Sequence, residues 1–274
     1  MKNELHSRRV SGLSVFLFFC FFTAALAPLS ALTMEEADAL LLRAQNNTLF
    51  AETDYGAAYH IVQEKPGEGR TVTEAVMYRR DSDAKYVILV TNPPKERGKG
   101  YLQENDVIWF YDPADGRFTF TSAKDKFQNT NANNSDFGPQ YYHRDYAIES
   151  FEEVRLGRMD CVCFVLKAKT EDVDYPEIRI WVTVEDGLVR KKEDYSLSGN
   201  RLRTIAVPSY QYLRTEERTY YVPVKMLIVD ELRGKNISGK FQNERTEISI
   251  SNVSFERQSP SIYTKAYLEM MSDR

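Results

Sequence analysis

Residues 106–120 read Asp-Val-Ile-Trp-Phe-Tyr-Asp-Pro-Ala-Asp-Gly-Arg-Phe-Thr-Phe. Two alternating half-strands flank a proline–glycine turn, which is the pattern of an antiparallel hairpin. Alternate residues of a strand share a face, so Trp109 and Tyr111 stand together and are answered across the turn by Phe118 and Phe120. That much aromatic surface is either buried in a core or offered to an apolar ligand.

The remainder of the chain has the same texture. Strand patterns separated by turns recur at Tyr59–Val62, Thr71–Arg79, Lys85–Thr91, Gly100–Gln103, Asp160–Lys167, Glu177–Val184, Leu188–Tyr195, Arg203–Val207, Thr219–Leu232 and Glu244–Phe255. Asp186-Gly187 is the dipeptide of a type I′ hairpin turn. The expectation is a mainly β protein: one continuous antiparallel sheet of about ten or eleven strands, with short helices at both ends and one between. Thr33-Met-Glu-Glu36 forms a capping box and opens the first helix, Met34 to about Gln45. Ser259-Pro260 starts the last one, which runs to about Met270. One stretch breaks the pattern. Lys124–Gln140, with Asn129, Asn131, Asn133 and Asn134, is too polar for a core and reads as a surface loop, or as a flap over the hairpin, because it ends in Phe137.

Residues 1–31 have a basic start, an apolar run from Leu13 to Ala27 and small residues up to Ala31, the order of a secretory leader. The expectation is a signal peptide over 1–31 and a single domain over 32–274. The alternative is an uncleaved anchor, since Ser11 to Leu32 is long enough to span a bilayer core of about 30 Å. Bulky Leu17-Phe18-Phe19 before Cys20 does not suit a lipidated cysteine. The chain carries a net charge of −4 although its leader is basic. That acidic body argues against a nucleic-acid partner, which needs a basic footprint.

A search for chemistry returns little. The sequence contains no His-Glu-x-x-His, no Gly-x-Ser-x-Gly and no phosphate-binding glycine loop. His60 lies in a strand pattern and His143 in a polar run, so neither is placed as a general base. Cys161 and Cys163 share one face of a strand, at a spacing that fits two half-buried thiols better than a redox or metal pair. No catalytic residue, metal ligand or cofactor is expected. Lys95, Arg97 and Lys99 form a small basic turn, either solvated or meeting an anionic headgroup or an acidic partner surface.

Several motifs occur in order: Lys99-Gly-Tyr-Leu102, then Ile108-Trp-Phe-Tyr-Asp-Pro113 with Arg117, then Ser135-Asp-Phe137. This series resembles that of the LolA/LolB-like outer-membrane lipoprotein-sorting proteins, and later features extend the likeness over almost the whole chain after the leader. The family motif positions are thus Lys99, Gly100, Leu102, Trp109, Tyr111, Pro113, Arg117, Ser135, Asp136 and Phe137. The resemblance implies an incomplete antiparallel β-barrel around an apolar cavity with helices as its lid. It also implies a periplasmic, non-enzymatic carrier of lipoprotein acyl chains or another lipid, served by an inner-membrane transporter and an outer-membrane acceptor. Trp109, Tyr111, Phe118, Phe120 and Phe137 are the expected cavity residues. Gly138-Pro139 departs from the usual continuation after the Ser-Asp-Phe motif, and no motif places the arginine that holds the lid in such carriers. The other reading is an envelope sensor or adaptor on the same fold, with a filled interior.

Overall fold

The computed structural model describes residues 32–105, 107–215 and 218–272. The leader read over 1–31 and Asp106 of the hairpin lie outside them. Residues 32–274 form a compact unit of their own. It opens with α1 (Met34–Asn46), followed by β1 (Tyr55–Lys65), β2 (Gly69–Arg80), β3 (Lys85–Asn92), β4 (Gly100–Glu104), β5 (Val107–Asp112) and β6 (Arg117–Thr121). Then come α2 (Tyr142–Asp145), β7 (Tyr146–Leu156), β8 (Met159–Ala168), β9 (Glu177–Thr183) and β10 (Val189–Tyr195). The chain closes with β11 (Arg201–Arg214), β12 (Thr219–Ile237), β13 (Lys240–Ser254) and α3 (Lys265–Ser272).

The thirteen strands make one antiparallel sheet in the order β6-β5-β4-β3-β2-β1-β13-β12-β11-β10-β9-β8-β7, an open barrel with two free edges. It consists of two meanders, joined where β1 pairs with β13. The count exceeds the expected ten or eleven; every strand but β7 has a strand pattern in the sequence, and β7, which carries Glu149, Glu152, Glu153 and Arg155, lacks an apolar alternation.

The two edges are consecutive in sequence, so the connection from β6 to β7 must cross the whole sheet. It crosses on the inner face. The segment read as a surface loop is therefore buried: Phe127 and Ala132 are fully covered, and Thr130, Asn131, Asn133, Asn134 and Phe137 are buried with them. Composition misleads here because several of the segment's polar groups find partners inside. The Asn131 amide donates to Thr246 Oγ1 at 2.8 Å and to Gln63 Oε1 at 3.2 Å, and the Asn133 side-chain amide donates to the Tyr175 hydroxyl at 2.9 Å.

The sheet buries three apolar groups. Phe127, Ala132 and Phe137 pack on the inner face of β1–β5 and β11–β13. Helix α1, with Ala37, Leu40, Leu41 and Ala44, covers β8–β10. Its capping box forms as expected, the Glu36 amide donating to Thr33 and the Thr33 amide to Glu36. On the outer face, α3 lies against β3–β6 through Leu268. Strand β3 is thus covered on both sides, Tyr86, Ile88 and Val90 inward and Val87 and Leu89 outward, which accounts for its unbroken Val-Ile-Leu-Val run.

Candidate functional site

Between the inner face and its cover lies an apolar chamber of about 120 Å³. The sheet contributes Tyr59, Ile205, Val207, Val222, Ile228 and Ile250, and the cover contributes Ala44, Phe50, Phe137 and Tyr142. For scale, a cavity of about 150 Å³ holds a benzene molecule. As it stands, the chamber accepts a ring-sized group, not a hydrocarbon chain. Beside it opens a polar cleft of about 780 Å³, and Arg79, Gly138, Gln140, Tyr142 and Lys192 line both spaces. The partition is thus the end of the connecting segment plus two cations. Displacing Gly138–Gln140 would merge chamber and cleft.

Arg79 ties that partition down. Its guanidinium donates to the Thr48 carbonyl at 2.6 Å, just after α1, and to the Phe137 carbonyl at 3.5 Å, while Asp81 clamps it from the other side at 2.6 and 2.7 Å. It also lies over the Phe50 ring at 4.5 Å. One sheet residue therefore holds both halves of the cover. No motif marks it, since an arginine at the end of a strand is common.

The second anchor is Arg203 of β11, buried among carboxylates. It is bidentate to Asp136 at 2.8 and 3.1 Å and donates to Asp194 at 2.9 Å and to the Asn131 carbonyl at 3.1 Å. Lys192 adds a cation 3.3 Å from Asp194. Burial pushes the Asp136 carboxyl up, but Arg203, then Lys192 and the Asn133 amide, hold it below its ordinary value. Each charged group at the chamber's rim has an oppositely charged neighbour, although Asp194 Oδ1 accepts no hydrogen bond.

The expected cavity residues separate into two groups. Phe137 does line the chamber, its ring 5.7 Å from Tyr59 and 4.6 Å from Phe127. Trp109, Tyr111 and Phe118 face the other way, in the outer cluster under α3, and Phe120 is 67% exposed on the edge strand. The ammonium of Lys265 sits 3.5 Å above the Trp109 ring. Much of the motif series therefore builds a platform for the C-terminal helix. Leu102 is fully buried there, and a Cβ on Gly100 would stand 2.5 Å from Leu268 Cδ2. Lys99 pairs with Glu96 at 2.7 Å and Asp112 at 3.3 Å, and Pro113 packs near Gly98. Arg117 is exposed at the start of β6. Two cations of the basic turn are thus satisfied internally, Arg97 bonding the Thr91 carbonyl at 3.1 Å, while Lys95 is exposed. Ser135 bonds Asp174 in the wall of the cleft.

His60 and His143 lie away from the chamber, beside Glu74 at 3.7 Å and Asp38 at 3.1 Å. Cys161 and Cys163 are free and buried, and burial pushes the Cys163 thiol up to about 11. Among the described residues no cluster of three metal-ligating side chains occurs, and no helix is long and apolar enough to cross a membrane.

A family model described as an uncharacterized protein family matches residues 82–270. The chain belongs to that family. No curated protein matches the sequence. Among solved structures it is similar to a LolA superfamily protein from Nitrosomonas europaea, at 19% identity and a TM-score of 0.68 over 84% of this chain and 98% of that one. It is also similar to a domain from Vibrio parahaemolyticus described as an outer membrane lipoprotein-sorting protein, at 16% identity and a TM-score of 0.70 over 84% and 97%. A DUF1329 family protein from Desulfovibrio piger superposes with a TM-score of 0.69 at 16% identity, over 85% and 98%. At these identities the likeness is one of fold, and the fold is LolA-like.

Proposed function

We propose that this protein is a non-enzymatic carrier of an apolar chain, the acyl group of a lipoprotein or another lipid, working in the periplasm after residues 1–31 direct its export. The observation that carries the reading is the apolar chamber roofed by α1 and the connecting segment, with Arg79 holding both. The state described is the closed one. Opening requires the segment to leave, and its burial is incompletely satisfied: Asn131 Nδ2, Asn133 Oδ1 and Asn134 Oδ1 are buried without a protein partner. Each such atom costs about 1–3 kcal/mol relative to water. Once open, chamber and cleft accept a chain, and each methylene moved out of water gains about 0.8 kcal/mol. A transporter in the inner membrane and an acceptor at the outer membrane would supply and receive the cargo.

The test is titration of delipidated protein with a fluorescent lipopeptide. Saturable, stoichiometric binding is expected, with Val207→Trp abolishing it by filling the chamber and Arg79→Gln accelerating uptake. No binding by the wild type would sink the carrier reading. A second reading, an envelope sensor or adaptor carrying no lipid, is favoured by the small size of the chamber, which at about 120 Å³ is too small for a hydrocarbon chain. It would be supported if Val207→Trp left the protein's cellular role intact.

A further inference from the structure

The polar cleft beside the chamber is much the larger space, about 780 Å³ against about 120 Å³. Its size falls within the range of about 300–1,000 Å³ that encloses a small organic ligand. One wall is the inner face of β3–β5, with Tyr86. The other is built around α2 and the turn between β8 and β9, with Tyr141, Tyr142, Tyr146 and Tyr175.

Two properties of this lining bound the ligand. The first is charge. Every cation in the cleft already meets a carboxylate: Arg79 meets Asp81 at 2.6 Å, Arg144 meets Asp145 at 2.6 Å, Lys192 meets Asp194 at 3.3 Å and Lys85 meets Glu104 at 3.9 Å. Among the described residues Asp172 and Asp174, which also line the cleft, have no ion pair. A phosphate or carboxylate ligand would thus find no spare cation and would face two unpaired anions. The second property is hydrogen bonding. The Tyr146 hydroxyl donates to the Tyr175 carbonyl at 3.2 Å, and the Tyr175 hydroxyl accepts from Asn133 at 2.9 Å. Among the described residues the hydroxyls of Tyr86, Tyr141 and Tyr142 bond no protein group. Tyr142 is nevertheless only 6% exposed and Tyr86 2%. A buried hydroxyl without a partner is costly, and its presence in a cleft points to a partner from outside.

We infer that the cleft binds a neutral sugar, a short oligosaccharide, with the hydroxyls of Tyr141 and Tyr142 and the carboxylates of Asp172 and Asp174 as its hydrogen-bonding partners. The rim hydroxyls of a sugar ring both donate and accept, so they suit carboxylates and tyrosine hydroxyls together. Its C–H faces suit the tyrosine rings. A peptide backbone is neutral too, but it offers only one donor and one acceptor per residue. The cleft is present in the closed state, so the site stands whether or not the chamber carries a lipid.

Titration calorimetry of the purified protein with maltotriose and with tri-N-acetylchitotriose tests this. At least one should bind saturably, with a Kd on the order of 1 mM or tighter. Tyr141→Phe with Tyr142→Phe keeps both rings and removes only the hydroxyls. That double variant should keep the wild-type far-ultraviolet dichroism and bind roughly tenfold more weakly, the worth of two neutral hydrogen bonds. Ala123→Trp, at an exposed position on the cleft, should abolish binding by filling it. Val207→Trp, which fills the chamber, should leave sugar binding unchanged. The inference is overturned if neither sugar binds the wild type, if the double variant or Ala123→Trp binds as the wild type does, or if Val207→Trp removes binding. Tighter binding of trigalacturonate, spermidine or a capped tripeptide also overturns it, since the cleft would then be an anion, cation or peptide site.

Discussion

Arg203 shows how one buried cation fixes a loop that composition assigned to solvent. It sits between Asp136 and Asp194 and also bonds the Asn131 carbonyl. Replacing it by Met leaves two buried carboxylates facing only Lys192, and breaking a buried pair costs about 3–5 kcal/mol. Arg203→Met should therefore lower the urea midpoint by that equivalent, and a loss below about 1 kcal/mol would show that the cluster is not clamping the segment. The same group gives a pH dependence. The Asp136 pKa is depressed in the folded state, so its contribution is present above the unfolded value of about 3.9 and is lost as pH falls through the folded one. Urea midpoints measured on descending from about pH 5 to about pH 3 should fall less steeply for Asp136→Asn than for the wild type. Asp136 was legible as part of a motif. Its partner was not, because Arg203 is separated from it by 67 residues and lies in an ordinary strand pattern.

The aromatic hairpin shows where local pattern stops being informative. Alternation places Trp109 and Tyr111 on one face, and the structure agrees. Which face looks outward depends on sheet curvature and on a helix that arrives some 150 residues later, neither of which the hairpin encodes. The glycine of the Lys-Gly-Tyr-Leu motif records that arrival, since Gly100 leaves room for Leu268. Gly100→Ala should push α3 off its platform at an overpacking cost of about 1–3 kcal/mol. Leu268→Ala should have the same effect from the helix side, at about 2–5 kcal/mol. In both variants Trp109 loses the cover of Lys265, so its emission should move to the red before global unfolding. Wild-type emission in both would mean that α3 tolerates the change by sliding. By contrast, the Thr33–Glu36 capping box was readable outright, because a cap is a contact between near neighbours.

Taken entire, the molecule is an unclosed sheet, and an unclosed sheet must protect two edges. The outer edge at β6 is short, five residues, and carries exposed Phe120. The edge at β7 is eleven residues long, enough to template another strand, and it carries Glu149, Glu152, Glu153 and Arg155. Those charges explain why β7 was the strand missing from the sequence reading: the polar residues that hide it from periodicity also keep a second chain from adding to it. The strand count and the burial of the asparagine segment thus have a common origin in topology. Once β6 and β7 stand at opposite edges, their connection has to cross the barrel, and no feature of its composition announces this. The protective role is separable from stability. Glu152→Val with Glu153→Val raises the strand propensity of β7 and costs one exposed hydrogen bond, from the Leu32 amide to Glu153 at 3.0 Å. The double variant should unfold at nearly the wild-type urea midpoint yet scatter light as larger, concentration-dependent species. If it stays at the wild-type mass across the same concentrations, the edge is guarded by its twist rather than by its charges.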